Sequence, residues 1–282
     1  MNVAVSSTAP VSATHLVRVP VTTVWSTPES PRPVDAAIVA DEPDALAWLA
    51  ALDADAAADG AVDDGTRAGR LGLHGLVETQ LVDGEPVIVT ELDGSGRWAH
   101  VVAPWQLSPK DDRGYPGWVP LAHLAPLTPG SLVVGPERVG TGSEAEAGPD
   151  EAAVVDDLAD PVHPALTEAR SHVGLPYLWS GLTPLGFDCS GLVLHTWRLL
   201  GVVVARDAYA QADFATPVPL DDVQPGDLYF FARPGARIHH VGIVVRPGRM
   251  VHASETGGVL VEEDLTAERL DTLVAAGRLP MP

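Results

Sequence analysis

Gly186-Phe187-Asp188-Cys189-Ser190-Gly191 holds the one cysteine in a chain of 282 residues. After it, Leu192, Val193, Thr196, Trp197, Leu199 and Leu200 recur at helical spacing, and Gly201 suits the residue just past a helix end. Asp188 is a good N-cap type, so Cys189 is expected in the first helical turn, beside unpaired amides and the positive end of the dipole. A thiol attacks as its thiolate, and such surroundings lower its pKa from roughly 8.5 to about 3.5–7.5. The same amides could hold a tetrahedral oxyanion.

Ile238-His239-His240-Val241-Gly242-Ile243-Val244 reads as a strand. Side chains alternate faces along a strand, so only one of His239 and His240 can meet the thiol. His240 shares its face with Gly242 and Val244, and Gly242 is expected to leave room beside a neighbouring helix. Met250-Val251-His252 reads as the partner strand, with His252 behind His240 and fixing its ring through one nitrogen. Two blander readings compete. A buried cysteine is often a small core hydrophobe, and Cys189 with His239, His240 and His252 could hold zinc. The second lacks the short ligand spacings of ordinary zinc sites, so no metal and no other cofactor is expected.

Pro176-Tyr177-Leu178-Trp179-Ser180-Gly181, the Gly186–Leu192 run, Gln224-Pro225-Gly226-Asp227-Leu228-Tyr229-Phe230-Phe231, His240-Val241-Gly242-Ile243 and Val251-His252-Ala253-Ser254 follow one another in that order. Together they resemble the NlpC-type cell-wall peptidases, papain-like cysteine peptidases of bacterial peptidoglycan, over about residues 158–275. The resemblance implies an α+β domain with an antiparallel sheet, with Cys189 as nucleophile, His240 as general base and acid, and His252 as third polar residue. It also implies that Tyr177, Asp188 and Ser190 line the substrate site. Ser180 departs from the pattern, since many members carry glycine there. Asp227, after Gly226 and before an apolar strand, reads as a turn or cap residue.

The amino-terminal half reads differently. Val21 to Trp25 is a strand candidate ended by Pro28. Asp41-Glu42-Pro43 opens a helix bearing Leu46, Trp48, Leu49 and Leu52, with Gly60 ending it. Val87-Ile88-Val89, Trp98 to Ala103 and Gly117-Trp118-Val119-Pro120 are short strands between turn signals. This suggests a small β-barrel with a helical insertion over about residues 34–75. Glu78-Thr79-Gln80-Leu81-Val82-Asp83-Gly84-Glu85-Pro86-Val87, then Trp98, then Arg113-Gly114-Tyr115-Pro116-Gly117-Trp118-Val119-Pro120 resemble the bacterial SH3-like domain of one subgroup. Its members are γ-D-glutamyl-L-diamino-acid endopeptidases of free murein peptides. The resemblance implies a barrel that roofs the peptidase groove and holds the substrate's free L-alanine amine through Asp188, Tyr115 and Glu78, with Glu85 an alternative to Glu78. An ammonium in a closed pocket wants anionic and hydroxyl acceptors.

The domains are therefore expected at 1–128 (SH3-like barrel), 129–155 (an acidic Gly/Pro/Ala linker) and 156–282 (papain-like peptidase). Gly140-Thr141-Gly142-Ser143-Glu144-Ala145 in the linker matches a loose dinucleotide fingerprint with no βαβ context. The formal net charge of −21, from 38 acidic against 17 basic residues, argues against nucleic acid or an anionic membrane surface as partner. One cysteine leaves no intramolecular disulfide, and the first thirty residues lack a basic start followed by an apolar core. The expectation is a monomeric cytoplasmic cysteine peptidase. It would cut the bond between D-Glu and meso-diaminopimelate or L-Lys in murein tripeptides or tetrapeptides, during recycling. The rivals are a secreted hydrolase of intact wall and a degenerate peptidase that only binds wall fragments.

Overall fold

The computed structural model describes residues 13–58, 68–128 and 163–281. The expected linker, residues 129–155, and its dinucleotide-like run lie outside them.

The amino-terminal half contains β1 (His15–Val17), β2 (Val21–Trp25), α1 (Ala36–Val39), α2 (Ala45–Ala58), β3 (Val77–Val82), β4 (Pro86–Leu92), β5 (Trp98–Ala103), β6 (Tyr115–Pro120) and β7 (Leu124–Pro126). Its strands form one antiparallel sheet in the order β3-β2-β6-β5-β4-β1-β7. Val17, Val24, Leu81, Val87, Val101, Val119 and Leu124, drawn from all seven strands, bury into one cluster, so the sheet wraps its own core. β1 and β7 are three residues each, too short for a period to show in the sequence.

The helical insertion lies between β2 and β3 as expected. Asp44 Oδ1 accepts from the amide of Ala47 at 2.9 Å, which fixes the start of α2. Trp48, Leu49 and Leu52 pack with Ile38, Leu73 and, from the other half of the chain, Leu178. Burying each such side chain stabilises by roughly 1.5–3 kcal/mol, so the insertion glues the halves together.

The carboxy-terminal half runs α3 (Pro164–Ser171), β8 (Leu182–Thr183), β9 (Gly186–Phe187), α4 (Cys189–Leu199), α5 (Ala208–Phe214), β10 (Thr216–Val218), β11 (Leu228–Phe231), β12 (His240–Arg246), β13 (Arg249–Ser254), β14 (Val259–Asp264), α6 (Ala267–Thr272) and β15 (Leu273–Arg278). Six strands form an antiparallel sheet in the order β10-β15-β11-β12-β13-β14, and β8 and β9 pair separately. This is the α+β class with antiparallel sheets. α4 presses Leu192, Val193 and Trp197 onto Val241, Ile243 and Val251. It ends as expected at Gly201, whose φ of 80° is the left-handed conformation glycine favours.

Two local expectations meet different fates. Asp227 is a turn residue, accepting from the Gln224 amide at 2.7 Å, and both its oxygens also receive Arg278 of β15. Gly242 makes room for a strand rather than for a helix. A Cβ there would strike Met250 Sδ and come within 3.2 Å of His252 Cβ on β13. Glycine at this position lets β12 and β13 close up around the two histidines.

Buried polar groups dock the halves. Ser180 carries a φ of 59°, unusual for a residue with a Cβ, which accounts for glycine suiting this place in the family pattern. Its hydroxyl donates to Val77 O at 3.0 Å, and Leu182 N donates to Gln80 Oε1 at 3.3 Å. Arg198 of α4 reaches both oxygens of the fully buried Glu85 at 3.0 and 3.1 Å.

Candidate active site

The start of α4 has the geometry that its sequence dictates. Asp188 adopts an extended N-cap conformation, and its Oδ1 accepts from the Gly191 amide at 2.6 Å. Cys189 follows in the first turn, buried, where the backbones of Val241 and Ser190 act to lower its thiol pKa. Val241, the residue after His240, shares a buried cluster with Cys189, so the helix start and the histidine strand pack together.

The lowered thiol pKa expected from the helix terminus is not what the structure gives. Burial pushes Cys189 up to about 12, and Asp188 adds to the rise, against the pull of the Val241 amide and Arg206. His240 is also held neutral: burial, and then His252, keep it well below its ordinary value. The pair at rest is a thiol beside a neutral imidazole, so no imidazolium offsets the desolvation.

A relay fixes that imidazole. His240 Nε2 lies 2.9 Å from His252 Nδ1, and His252 Nε2 lies 2.9 Å from Glu263 Oε1 on β14. The Glu263 carboxylate can only accept, so His252 donates from Nε2 and its Nδ1 is left as an acceptor. His240 therefore donates from Nε2, and its Nδ1 carries the free lone pair. The β12–β13 register opposes Ile243 to Val251, which makes His240 and His252 diagonal neighbours on one face. His239, expected in the strand, precedes β12 and is exposed.

Cys189 and His240 open on a cavity of about 540 Å³. Tyr177, Asp188 and Ser190 line it from the carboxy-terminal half, and Glu78 and Tyr115 from the amino-terminal half. Every sequence-derived site residue except His252 reaches this cavity, and His252 stands directly behind it. Tyr177 is buried, and burial, then Cys189 and Asp188, raise its phenol pKa.

The amine pocket differs from expectation in its charges. Asp188 is answered by Arg206, whose Nη1 and Nη2 reach its two oxygens at 3.1 and 2.7 Å. The carboxylates beside the Tyr115 hydroxyl are Asp207, at 3.1 and 3.2 Å, and Glu78, at 3.3 Å. Lys110 Nζ sits among them, paired with Glu78 Oε2, 3.0 Å from Tyr115 Oη and 4.6 Å from the centre of its ring. Glu85, the alternative to Glu78, is spent on Arg198 and Gln106 and does not line this pocket.

Arg206, Asp207, Lys110 and Glu263 are the residues that sequence reasoning passed over. Arg206 is fully buried and also donates to Ser190 Oγ at 2.9 Å and to Thr79 Oγ1 at 2.8 Å, tying β3 to the cysteine loop. An arginine closing the apolar run Val202-Val203-Val204-Ala205 was the available signal. Away from the cavity, Glu168, His172 and His195 bring one ligand atom each within 4.8 Å of one another. Within it His172 Nε2 lies 2.9 Å and His195 Nε2 3.5 Å from Glu168 Oε1.

A buried thiol at a helix start, sharing one cavity with a neutral imidazole ordered by a second histidine, is the equipment of a cysteine peptidase, and the comparisons agree. The NlpC/P60 family matches residues 174–275. The chain is 32% identical to a γ-D-glutamyl-L-lysine dipeptidyl-peptidase of Bacillus subtilis, over 86% of this chain and 90% of that protein. It is 26% identical to the protein of that name in Bacillus cereus, over 82% and 80%. A crystal structure of an NlpC/P60 family protein from Bacillus cereus superposes with a TM-score of 0.74, covering 96% of this chain and 100% of that one at 22% identity. The chain belongs to the NlpC/P60 family.

Proposed function

We propose that this chain hydrolyses the bond between γ-D-Glu and the following diamino acid in murein peptides whose L-Ala amine is free. The observation that carries the reading is Lys110. An ammonium already rests on Glu78 and Tyr115, beside Asp207, in the same cavity as Cys189. That cluster is built to hold a primary amine, and a substrate amine entering would displace Lys110 toward solvent. The amino-terminal half supplies Glu78, Lys110 and Tyr115 to the pocket and the other half Asp207, and the names of the two Bacillus relatives agree with a dipeptide recognised from its amino end.

Cys189 Sγ attacks the γ-carbonyl of D-Glu while its proton passes to His240 Nδ1. The first-turn amides face the developing oxyanion. His240 then returns the proton to the leaving diamino-acid nitrogen as the C–N bond breaks. Water, deprotonated by the same imidazole, hydrolyses the thioester and frees L-Ala-γ-D-Glu. His252 holds the ring and Tyr177 and Ser190 shape the cleft. Such specificity suits cytoplasmic recycling of free peptides rather than remodelling of the intact wall.

The test is mass spectrometry of products from L-Ala-γ-D-Glu-diamino-acid tripeptide and from its N-acetylated twin. Loss of about 100-fold or more in kcat/KM on acetylation supports a closed amine pocket, since it buries charges left unpaired. Equal cleavage of both peptides contradicts it and favours a hydrolase of intact wall.

A further inference from the structure

Among the described residues, Arg97, Arg233, Arg237 and Arg269 are the basic side chains with no carboxylate partner; every other one is ion-paired. In a chain of formal net charge −21 that is a selective vacancy, because all but Arg97 line the cavity. The other guanidinium lining it, Arg206, commits four hydrogen bonds to Asp188, Ser190 and Thr79.

Their placement is not uniform. Arg237 stacks on the Tyr209 ring at 3.5 Å. Arg269 and Arg233 instead flank the histidines. Arg269 Cζ lies 5.9 Å from the Phe231 ring, and that ring lies 5.5 Å from His240, its register partner on β12. Arg233 belongs to the segment joining β11 to His239, and that segment is tied to α6 by Ala232 N donating to Thr272 O at 2.8 Å. Both guanidiniums act on the exposed His239 electrostatically, with Glu255, which also lines the cavity, opposing them.

His240 hands its proton to the departing nitrogen, so the leaving amino acid lies on the histidine side of the sulfur. The amine pocket of Glu78, Tyr115 and Asp207 holds the opposite end of the substrate. We infer that Arg233 and Arg269, with His239, form a subsite for a carboxylate of the leaving diamino acid. This rests on the proposed γ-D-glutamyl peptidase reading and extends it to the far side of the scissile bond. A zwitterionic peptide then matches the cavity end to end, ammonium on carboxylates and carboxylate on guanidiniums. Two carboxylates share that chemistry: the α-carboxylate of a terminal lysine or diaminopimelate, and the distal carboxylate of diaminopimelate alone.

The experiment measures kcat/KM on L-Ala-γ-D-Glu tripeptides ending in Lys, Lys-amide, meso-diaminopimelate and diaminopimelate amidated at its distal carboxyl. A D-isoglutamine version of the Lys peptide is added. Each is assayed with the wild-type chain, with Arg233→Gln/Arg269→Gln and with Arg233→Lys/Arg269→Lys. The wild type should prefer one acid over its amide by about tenfold or more, as charge-assisted hydrogen bonds allow. That ratio should collapse toward one in the glutamine variant and survive in part in the lysine variant. The Lys pair reports the α-carboxylate and the diaminopimelate pair the distal one. Equal cleavage of acid and amide by the wild type, or a ratio unmoved by the variants, overturns the inference and leaves the γ-D-glutamyl reading standing. A collapse confined to the D-Glu against D-isoglutamine ratio also overturns it, placing the guanidiniums on the acyl side. If no tripeptide is cut at the γ-D-Glu bond, both readings fall together.

Discussion

His252 donates through Nε2 to Glu263 Oε1 at 2.9 Å, and this one contact decides which nitrogen of His240 keeps its lone pair. Glu263 touches neither sulfur nor cavity. It sets the tautomer of His252, which sets that of His240, a positioning role of the kind carboxylates play behind catalytic imidazoles. Glu263→Ala should lower kcat about tenfold with little change in KM, and Glu263→Gln, which keeps an acceptor, should recover most of it. Steady-state kinetics on the tripeptide decides; equal losses in both variants would remove the tautomer argument.

The pH profile follows from the neutral pair. Burial, then His252, hold His240 well below 6.5, so the acid limb of kcat/KM should lie below pH 6.5. Above about pH 8 the substrate's own α-amine loses its proton, and cleavage should fall for the free peptide. An acid limb at or above 6.5 would contradict the buried imidazole.

Stability should respond to acid for the same reason. Burial holds folded His252 down at about 4, against an ordinary 6.5. Between those values the unfolded chain takes up the proton and the folded chain does not. This stabilisation is therefore complete above pH 6.5 and is lost as pH falls toward 4. Thermal midpoints should drop through that window, and His252→Gln should flatten the drop.

Lys110 competes with substrate for Glu78 and Tyr115. Lys110→Met leaves those acceptors and Asp207 without their resident ammonium, so kcat/KM for the free-amine peptide should rise by about tenfold, within the range of a charge-assisted contact. The N-acetylated twin should gain nothing. A fall for both peptides would make Lys110 a structural strut instead.

Ser180→Ala keeps the left-handed strain and loses the bond to Val77 O, so it should destabilise by about 1–2 kcal/mol, read by denaturant unfolding. Ser180→Gly should cost less, because it also relieves the backbone.

What the sequence disclosed and what it withheld divide along physical lines. Asp188, Cys189 and Gly201 were legible because capping, dipole and termination are local rules acting within one helix. His240 and His252 followed from strand alternation. Glu263 was not legible: in the run Glu262-Glu263-Asp264 it looks like any solvated strand edge, and its meaning comes from the facing strand. Lys110 meets Glu78 only through the folding of the amino-terminal half, and Asp207 joins Tyr115 beside them only because the halves dock. The raised thiol pKa escaped for a related reason. The helix terminus is visible in one dimension, whereas the desolvation that outweighs it depends on the whole fold.

Replacing Cys189 tests the central claim most directly. Liquid chromatography with mass spectrometry should show the wild type releasing L-Ala-γ-D-Glu from the tripeptide. The Cys189→Ala protein, folded by circular dichroism, should be slower by about a thousandfold or more, the scale seen when a covalent nucleophile is removed. Release by that variant within tenfold of the wild type would contradict a thiol nucleophile and with it the mechanism.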